Sequence, residues 1–314
     1  MKIVFFGSSC FAVEVLKILS QSKFKPIVVI TPLAKTRGRN LKVLPAPVEE
    51  FAKDSGLNCL PVSDVNSKES LKKILSLGPD ICISIAFGQI FKQPVLEIPK
   101  NVFLNVHASM LPVLRGPAPV QHSILNGDTA TGITIQKVCL KVDAGDILLQ
   151  KSIPIGQDED ALLLAHRLSR IAGEYLIQAL DIISLGRAVY IQQDDSKATY
   201  APKIRKIDGL IDWNKKAVDI YNKVRALVLY PCAWTIFRGK ILKIWKADVY
   251  NQKTDEFCPG TIVGFNREGF IVRCADESIR MKEVQLESKN KISANEFING
   301  ARLRVGEKFS ASRL

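Results

Sequence analysis

The sequence predicts an α/β domain built on a parallel sheet, followed by a small antiparallel β-barrel. Three observations predict it. In the first half, short apolar runs take turns with amphipathic stretches, the pattern of strands buried on both faces and joined by helices. Residues 187–205 then lose periodicity. From "CAWTIFRGKILKIWKADV" onward the chain breaks into short strand-like runs with Gly-containing turns, as small barrels do. A length of 314 residues suits about two domains, each with its own core.

Taken in order, "KIVFFG" reads as a buried strand, "CFAVEVLKILSQ" as a helix and "KPIVVIT" as a second strand. Residues 31–47, "TPLAKTRGRNLKVLPAP", break the pattern as a Pro-flanked loop. "PVEEFAKDSG" and "SKESLKKILSLG" are amphipathic helices, each closed by a glycine. "PDICISIAFG" and "NVFLNVHA" are again apolar strands, and "PVQHSIL" is helix-like. "TGITIQKV" alternates as a strand, "DILLQKSIPI" follows the "DAG" turn as another, and "DALLLAHRLSRIAGEYLIQALDIISLG" is a long helix. Past the aperiodic stretch, "AVDIYNKVRALV" is helical. The expected organisation is therefore a domain over 1–190, a linker over 191–205 and a barrel domain over 206–314.

In parallel α/β sheets ligands bind outside the carboxyl ends of the strands. Gly7, Gly88 and the pair Asn105 and His107 fall at such ends. "GSSCFA" after the first strand lacks the G-x-G-x-x-G spacing of a dinucleotide loop, and no Walker A motif occurs. In "FLNVHASMLPVLR" (103–115), Asn105 and His107 point to the same side of an extended chain, with Val106 opposite. Two polar groups leaving a buried strand together either satisfy each other's surroundings or meet a ligand. Residues alone leave both readings open.

The formal net charge is +13, and it is unevenly spread. Up to residue 202 there are 22 Lys and Arg against 18 Asp and Glu; after it there are 22 against 13, an excess of nine in the last 112 residues. Such a gathered excess suits a polyanionic partner, although basic proteins are common. The 31–47 loop holds Lys35, Arg37, Arg39 and Lys42 and no acidic residue. It is either solvated surface or a clamp for a polyanion at the sheet's ligand end.

The seven cysteines show no C-x-x-C spacing, which argues for reduced thiols and against a disulfide framework or a zinc site; no metal is expected. "MKIVFFG" is too short an apolar start for a signal peptide, and no run approaches the length of a membrane span. The expectation is a cytoplasmic monomer without membrane contact.

One combination is more specific than any single motif. The stretch "NVHASMLPVLRGPAPVQHSILNGDTATGITIQKVCLKVDAGDIL" resembles the signature region of the folate-dependent formyltransferases, which runs N-x-H-x-S-L-L-P, R-G, T-G-x-T and D-x-G. Met110 replaces the first Leu, a swap of similar volume. "RGRN", "LPAPVEEFA", "IAFGQIF", "ATYAPKIRKIDGLIDW" and "LKIWKA" extend the resemblance over nearly the whole chain, most closely to the branch that acts on initiator methionyl-tRNA.

The resemblance implies a Rossmann-like first domain that binds 10-formyltetrahydrofolate as formyl donor, and an OB-like barrel that helps hold the tRNA. It implies that Asn105, His107 and Asp143, which lies 38 positions after Asn105, are catalytic. It also implies that Ser109, Met110, Leu111 and Pro112, with Ala86, Phe87 and Gly88, line the folate pocket. Arg37, Arg39 and Lys42 become candidate tRNA contacts.

These residue types suit the reaction. Formyl transfer to an amine passes through a tetrahedral intermediate with a negative oxygen, to which Asn105 and His107 can donate. Asp143 would orient the imidazole and help move the amine's proton. The rival is transfer to a small amine such as an amino-sugar nucleotide. The basic tail and loop favour tRNA.

Overall fold

The computed structural model describes residues 1–37, 42–251 and 256–310. The chain divides into two compact units. The first comprises 1–119, 130–154 and 165–201; the second comprises 120–129, 155–164 and 202–314.

The first unit opens with β1 (Ile3–Gly7), α1 (Cys10–Ser20) and β2 (Val28–Pro32), followed by a hairpin of β3 (Lys35–Arg37) and β4 (Lys42–Leu44). Then come α2 (Pro47–Asp54), β5 (Cys59–Val62), α3 (Lys68–Leu77), β6 (Ile81–Ile85), the short α4 (Gln93–Leu96) and β7 (Val102–His107). After α5 (Pro119–Leu125), which falls in the second unit but for its first residue, β8 (Ala130–Lys137) and β9 (Ile147–Pro154) complete the sheet; α6 (Ala161–Ser184) follows and belongs to the first unit from residue 165 onward.

The seven strands lie in the order β5-β2-β1-β6-β7-β8-β9. The first five are parallel, and β8 and β9 add an antiparallel edge. The chain starts in the middle, moves outward through β2 to β5, and crosses back to β6. The order thus reverses beside β1, the kind of switch point where such sheets bind ligands.

Sequence chemistry explains the elements. β1 and β6 are buried along their whole length, as strands covered on both faces must be. Ser9 caps α1 by accepting from the Ala12 N–H, and Gly78 closes α3 in the left-handed conformation. One face of the sheet carries an aromatic cluster. Phe87 stacks on Phe91 at 5.4 Å, and Phe6 meets both edge-on.

Two sequence expectations change. Residues 31–47, expected as a loop, contain the β3–β4 hairpin, with Lys35 opposite Leu44 and Arg37 opposite Lys42; strands of three residues are too short for periodicity to reveal. Most of the expected 191–205 linker also belongs to the first unit. Ile191 bridges Ile147, and the backbone of Thr199 and Ala201 bonds to that of Arg115. Irregular backbone satisfied by such scattered bonds leaves no periodic trace in a sequence.

The second unit contains α7 (Ala217–Ala226), then β10 (Ala233–Phe237), β11 (Lys240–Tyr250), β12 (Ile262–Asn266), β13 (Gly269–Arg273), β14 (Ser278–Leu286) and β15 (Ile292–Ser293), and α8 (Ala294–Ala301). The strands form an antiparallel sheet in the order β10-β11-β14-β13-β12, with β15 on β14. Residues 306–310 bond both to Ile262 on one edge strand, β12, and to Ile236 on the other, β10. That segment closes the sheet into a barrel and covers both edges. Trp213, Phe237, Phe270, Phe297 and Phe309 pack its interior.

Candidate active site

β7 carries its polar residues out of the core on one face. Positions 103, 105 and 107 share that face. It passes from Phe103, buried in one cluster with Val4, Phe6 and Cys82, to half-buried Asn105 and buried His107. Antiparallel β8 sets Gln136 opposite Asn105 and Thr134 opposite His107, so their side chains share the face too.

The loop between β8 and β9 brings Asp143 to these residues. Its carboxylate has four neighbours. Oδ1 accepts from Asn105 Nδ2 at 3.4 Å and from Gln136 Nε2 at 3.2 Å. Oδ2 accepts from the Gly116 N–H at 2.9 Å and lies 3.5 Å from His107 Nδ1. Gly116 has a φ of 121°, and a Cβ there would come within 2.7 Å of the Ala201 carbonyl oxygen. Glycine is therefore what lets this N–H reach the carboxylate.

His107 is held from its other side as well. Its Nε2 lies 2.9 Å from the Leu114 carbonyl oxygen. A carbonyl only accepts, so Nε2 carries a proton and donates it. Nδ1 is the nitrogen that faces Asp143, and any exchange of a proton between His107 and a substrate runs through Nδ1.

Three non-glycine residues near these strand ends adopt left-handed backbone: Ala86 (φ 45°), Leu114 (φ 61°) and Asp143 (φ 52°). Each such residue costs about 1–3 kcal/mol, and such strain gathers at functional sites. Here it has visible effects. Leu114 presents its carbonyl to His107 while its N–H donates to Thr199 Oγ1 at 2.9 Å.

The turn after β7 is braced from within. Buried Ser109 donates from Oγ to the Val113 carbonyl at 2.6 Å. Thr134 Oγ1 donates to the Ser109 carbonyl at 2.7 Å and accepts from the Leu111 N–H at 3.1 Å. Gln150 Nε2 donates to the Leu111 carbonyl at 2.7 Å. Met110 packs on Gly132, where any Cβ would collide with its sulfur and with the Lys151 carbonyl. The small residue of "TGIT" thus makes room for the thioether.

The residues expected to line a cosubstrate pocket divide by role. Ser109 spends its hydroxyl inside the turn. The Phe87 ring is 2% exposed and belongs to the aromatic cluster. Gly88 and part of Phe87 nevertheless line a cleft of about 160 Å³, together with Ser8, Pro32, Leu33 and Ala46. That cleft lies at the carboxyl ends of β1, β2 and β6. Of the expected basic contacts, Arg37 and Lys42 lie on the β3–β4 hairpin, and Arg39 lies outside the described residues.

Sequence reasoning missed Gln136, although "TGITIQKV" puts it on the same face of its strand as Thr134. Only the pairing register shows that this face meets Asn105 and His107. It also missed Gln193, which lies in the aperiodic segment and is 8% exposed. His122 has a local role, with Nε2 donating to the Pro202 carbonyl at 3.0 Å.

Comparison with known proteins agrees with this architecture. Residues 1–180 match the family model described as formyl transferase, and 203–302 match that of the formyl transferase C-terminal domain. The chain is 39% identical over 306 residues to methionyl-tRNA formyltransferase of Geobacter sulfurreducens, covering 98% of this chain and 96% of that one. It is also 39% identical over 310 residues to the protein of the same name from Caldicellulosiruptor saccharolyticus, covering 98% and 99%. A solved N-formyltransferase from Helicobacter canadensis shares the fold, with a TM-score of 0.65 at 21% identity over 91% of this chain and 100% of that one. With the N-terminal model matched over more than half the chain and relatives aligned over nearly all of it, this protein belongs to the formyl transferase family.

Proposed function

We propose that the protein transfers the formyl group of 10-formyltetrahydrofolate to the amino group of methionine on initiator methionyl-tRNA. The observation that carries the reading is the convergence of Asn105, His107 and Asp143 at the carboxyl end of β7. It occurs in a chain whose near-full-length relatives bear the methionyl-tRNA formyltransferase name.

The amine nitrogen attacks the formyl carbon, and the formyl oxygen takes up negative charge. Asn105 Nδ2 has two N–H bonds, one directed at Asp143, which leaves the other for that oxygen. The amine's proton passes to the His107 Nδ1 and Asp143 carboxylate pair. The bond from carbon to N10 of the folate then breaks, and the proton ends on N10. The products are formyl-methionyl-tRNA and tetrahydrofolate, with no covalent enzyme intermediate.

The residues present fit the formyl donor. The cleft beside Gly88 has apolar walls at Pro32 and Leu33 for a flat ring system. The turn at 109–112, braced by the Thr134 and Gln150 side chains, lies next to His107 in the chain. The basic excess after residue 202 suits the phosphates of tRNA, with Arg37, Arg39 and Lys42 proposed to meet its acceptor end.

The test is a choice of acceptor. The protein is incubated with 10-formyltetrahydrofolate and either charged initiator methionyl-tRNA or a nucleotide-linked amino sugar, and the formyl group is followed. Formylation of methionyl-tRNA at micromolar concentration is expected. Efficient transfer to the amino sugar with none to the tRNA would replace this reading by its small-amine rival.

A further inference from the structure

A buried chain of hydrogen bonds runs from a cation to Asp143. Arg115 is 1% exposed, and its guanidinium donates twice to Gln193 Oε1, from Nε at 3.1 Å and from Nη2 at 2.7 Å. Arg115 offers only donors, so the Gln193 amide must turn its oxygen toward it and its NH₂ group away. Gln193 Nε2 then faces three acceptors: Gln136 Oε1 at 3.0 Å, the Asp143 carbonyl at 3.0 Å and the Gly145 carbonyl at 2.7 Å. This fixes Gln136 in turn. With its oxygen occupied, its NH₂ group donates to Asp143 Oδ1 at 3.2 Å.

Every link has one allowed orientation, and each bond polarises the next in the same direction, from guanidinium to carboxylate. The same segment also holds the outer part of the loop. Asp195 Oδ1 accepts from Arg115 Nη2 at 2.7 Å, and its Oδ2 accepts from Lys141 Nζ at 2.5 Å.

A buried guanidinium is expensive to keep, and Arg115 Nη1 has no hydrogen-bond partner among the described residues. An apolar residue of similar size would fill the space at lower cost. Retaining Arg115 makes physical sense if the chain of bonds does something beyond packing. What it visibly does is hold Asp143 in its left-handed backbone, with one carboxylate oxygen on Asn105 and the other beside His107.

We infer that Gln193, anchored by Arg115, is a positioning residue for formyl transfer: it sets the Asp143 carboxylate through Gln136 and through the 143–145 backbone. The inference rests on the proposed role of Asp143, and the test separates the two. Steady-state formyl transfer from 10-formyltetrahydrofolate to initiator methionyl-tRNA is measured for the full chain and for Gln193→Met, Gln193→Ala, Asp143→Asn and the double variant Gln193→Met with Asp143→Asn. Gln193→Met keeps the length of the side chain and removes its hydrogen bonds, so the inference is scored on it should Gln193→Ala fail to fold.

Gln193→Met is expected to lower kcat about tenfold to a hundredfold, with KM for both substrates within about twofold of the parent. Because Gln193 acts through Asp143, the double variant should be no slower than Asp143→Asn alone, within about twofold. A parental kcat in Gln193→Met would overturn the inference. So would a double variant slowed by the product of the two single effects, the sign of independent structural damage. Full activity in Asp143→Asn would instead overturn the role of Asp143, leaving nothing for Gln193 to position.

Discussion

Asp143 shows how much of a residue's role lies in its surroundings. Its four neighbours are an amide from β7, an amide from β8, a backbone N–H freed by Gly116, and the imidazole of His107. Asn105 Nδ2 has one of its two N–H bonds on Asp143 among the described residues, and its chemistry as a donor can be tested separately from its size. Asn105→Ala removes the donor and should lower kcat about a hundredfold, the usual worth of one oxyanion donor. Asn105→Asp keeps the shape, but replaces the donor by a carboxylate against the Asp143 carboxylate. It should be slower than Asn105→Ala by about another tenfold. Rates in the opposite order would show that position 105 contributes volume and not donation.

At the scale of elements, the site is an alignment of β7, β8 and two irregular segments. Gly132 is the small residue that lets β8 carry Met110 against it. Gly132→Ala puts a methyl group where the Met110 sulfur and the Lys151 carbonyl now lie. A loss of about 1–3 kcal/mol in stability is expected, with weaker binding of the formyl-folate, measured by denaturant unfolding and by equilibrium titration. Stability unchanged within error would mean that the turn at 109–112 is looser than its hydrogen bonds suggest.

Asp195 supplies a pH-dependent tie in the same layer. Hydrogen bonds from Lys141 and then Arg115 hold its carboxyl below the usual aspartate range. A depressed folded-state value means that the tie contributes fully above the ordinary value, near 4, and is lost as pH falls through the lower folded value. Asp195→Asn should therefore reduce the thermal midpoint at neutral pH and flatten its decline on acidification below about pH 4. The side chain is exposed, so the effect is small and salt-sensitive. Parallel acid curves for the two proteins would show that the tie carries no stability.

Legibility followed periodicity at this scale. The parallel strands, the long helix α6 and the face shared by Asn105 and His107 could all be read, because period and burial vary together in regular elements. Gln136 required the strand register, which no local pattern encodes. Gln193 and Asp195 lie in backbone satisfied by isolated bridges and side chains, and that kind of order looks like a linker in a sequence. The resemblance to a family supplied the partnership of Asp143 with β7, because a lone D-x-G is otherwise ordinary turn chemistry.

At the scale of the whole molecule, charge and chemistry are segregated along the chain. The proposed reacting groups lie in the first unit, and most of the basic excess lies after residue 202. No helix among the described residues is long and apolar enough to cross a membrane. If Arg37 and Arg39 meet the acceptor end of tRNA, changing both to Ala should raise KM for methionyl-tRNA. The log–log salt slope should flatten by about 0.7–0.9 for each phosphate that an arginine no longer neutralises. Binding of the formyl-folate should be unaffected. An unchanged slope would assign these arginines to solvent.

The most direct measurement of the central claim is the single-turnover rate of formyl transfer from 10-formyltetrahydrofolate to initiator methionyl-tRNA in His107→Ala, with tRNA affinity and thermal midpoint measured on the same preparation. The expected result is a rate at least about a hundredfold below the parent, with tRNA affinity within about twofold and a cooperative unfolding transition. A near-parental rate in a folded, tRNA-binding His107→Ala protein would contradict the assignment of the reaction to the end of β7.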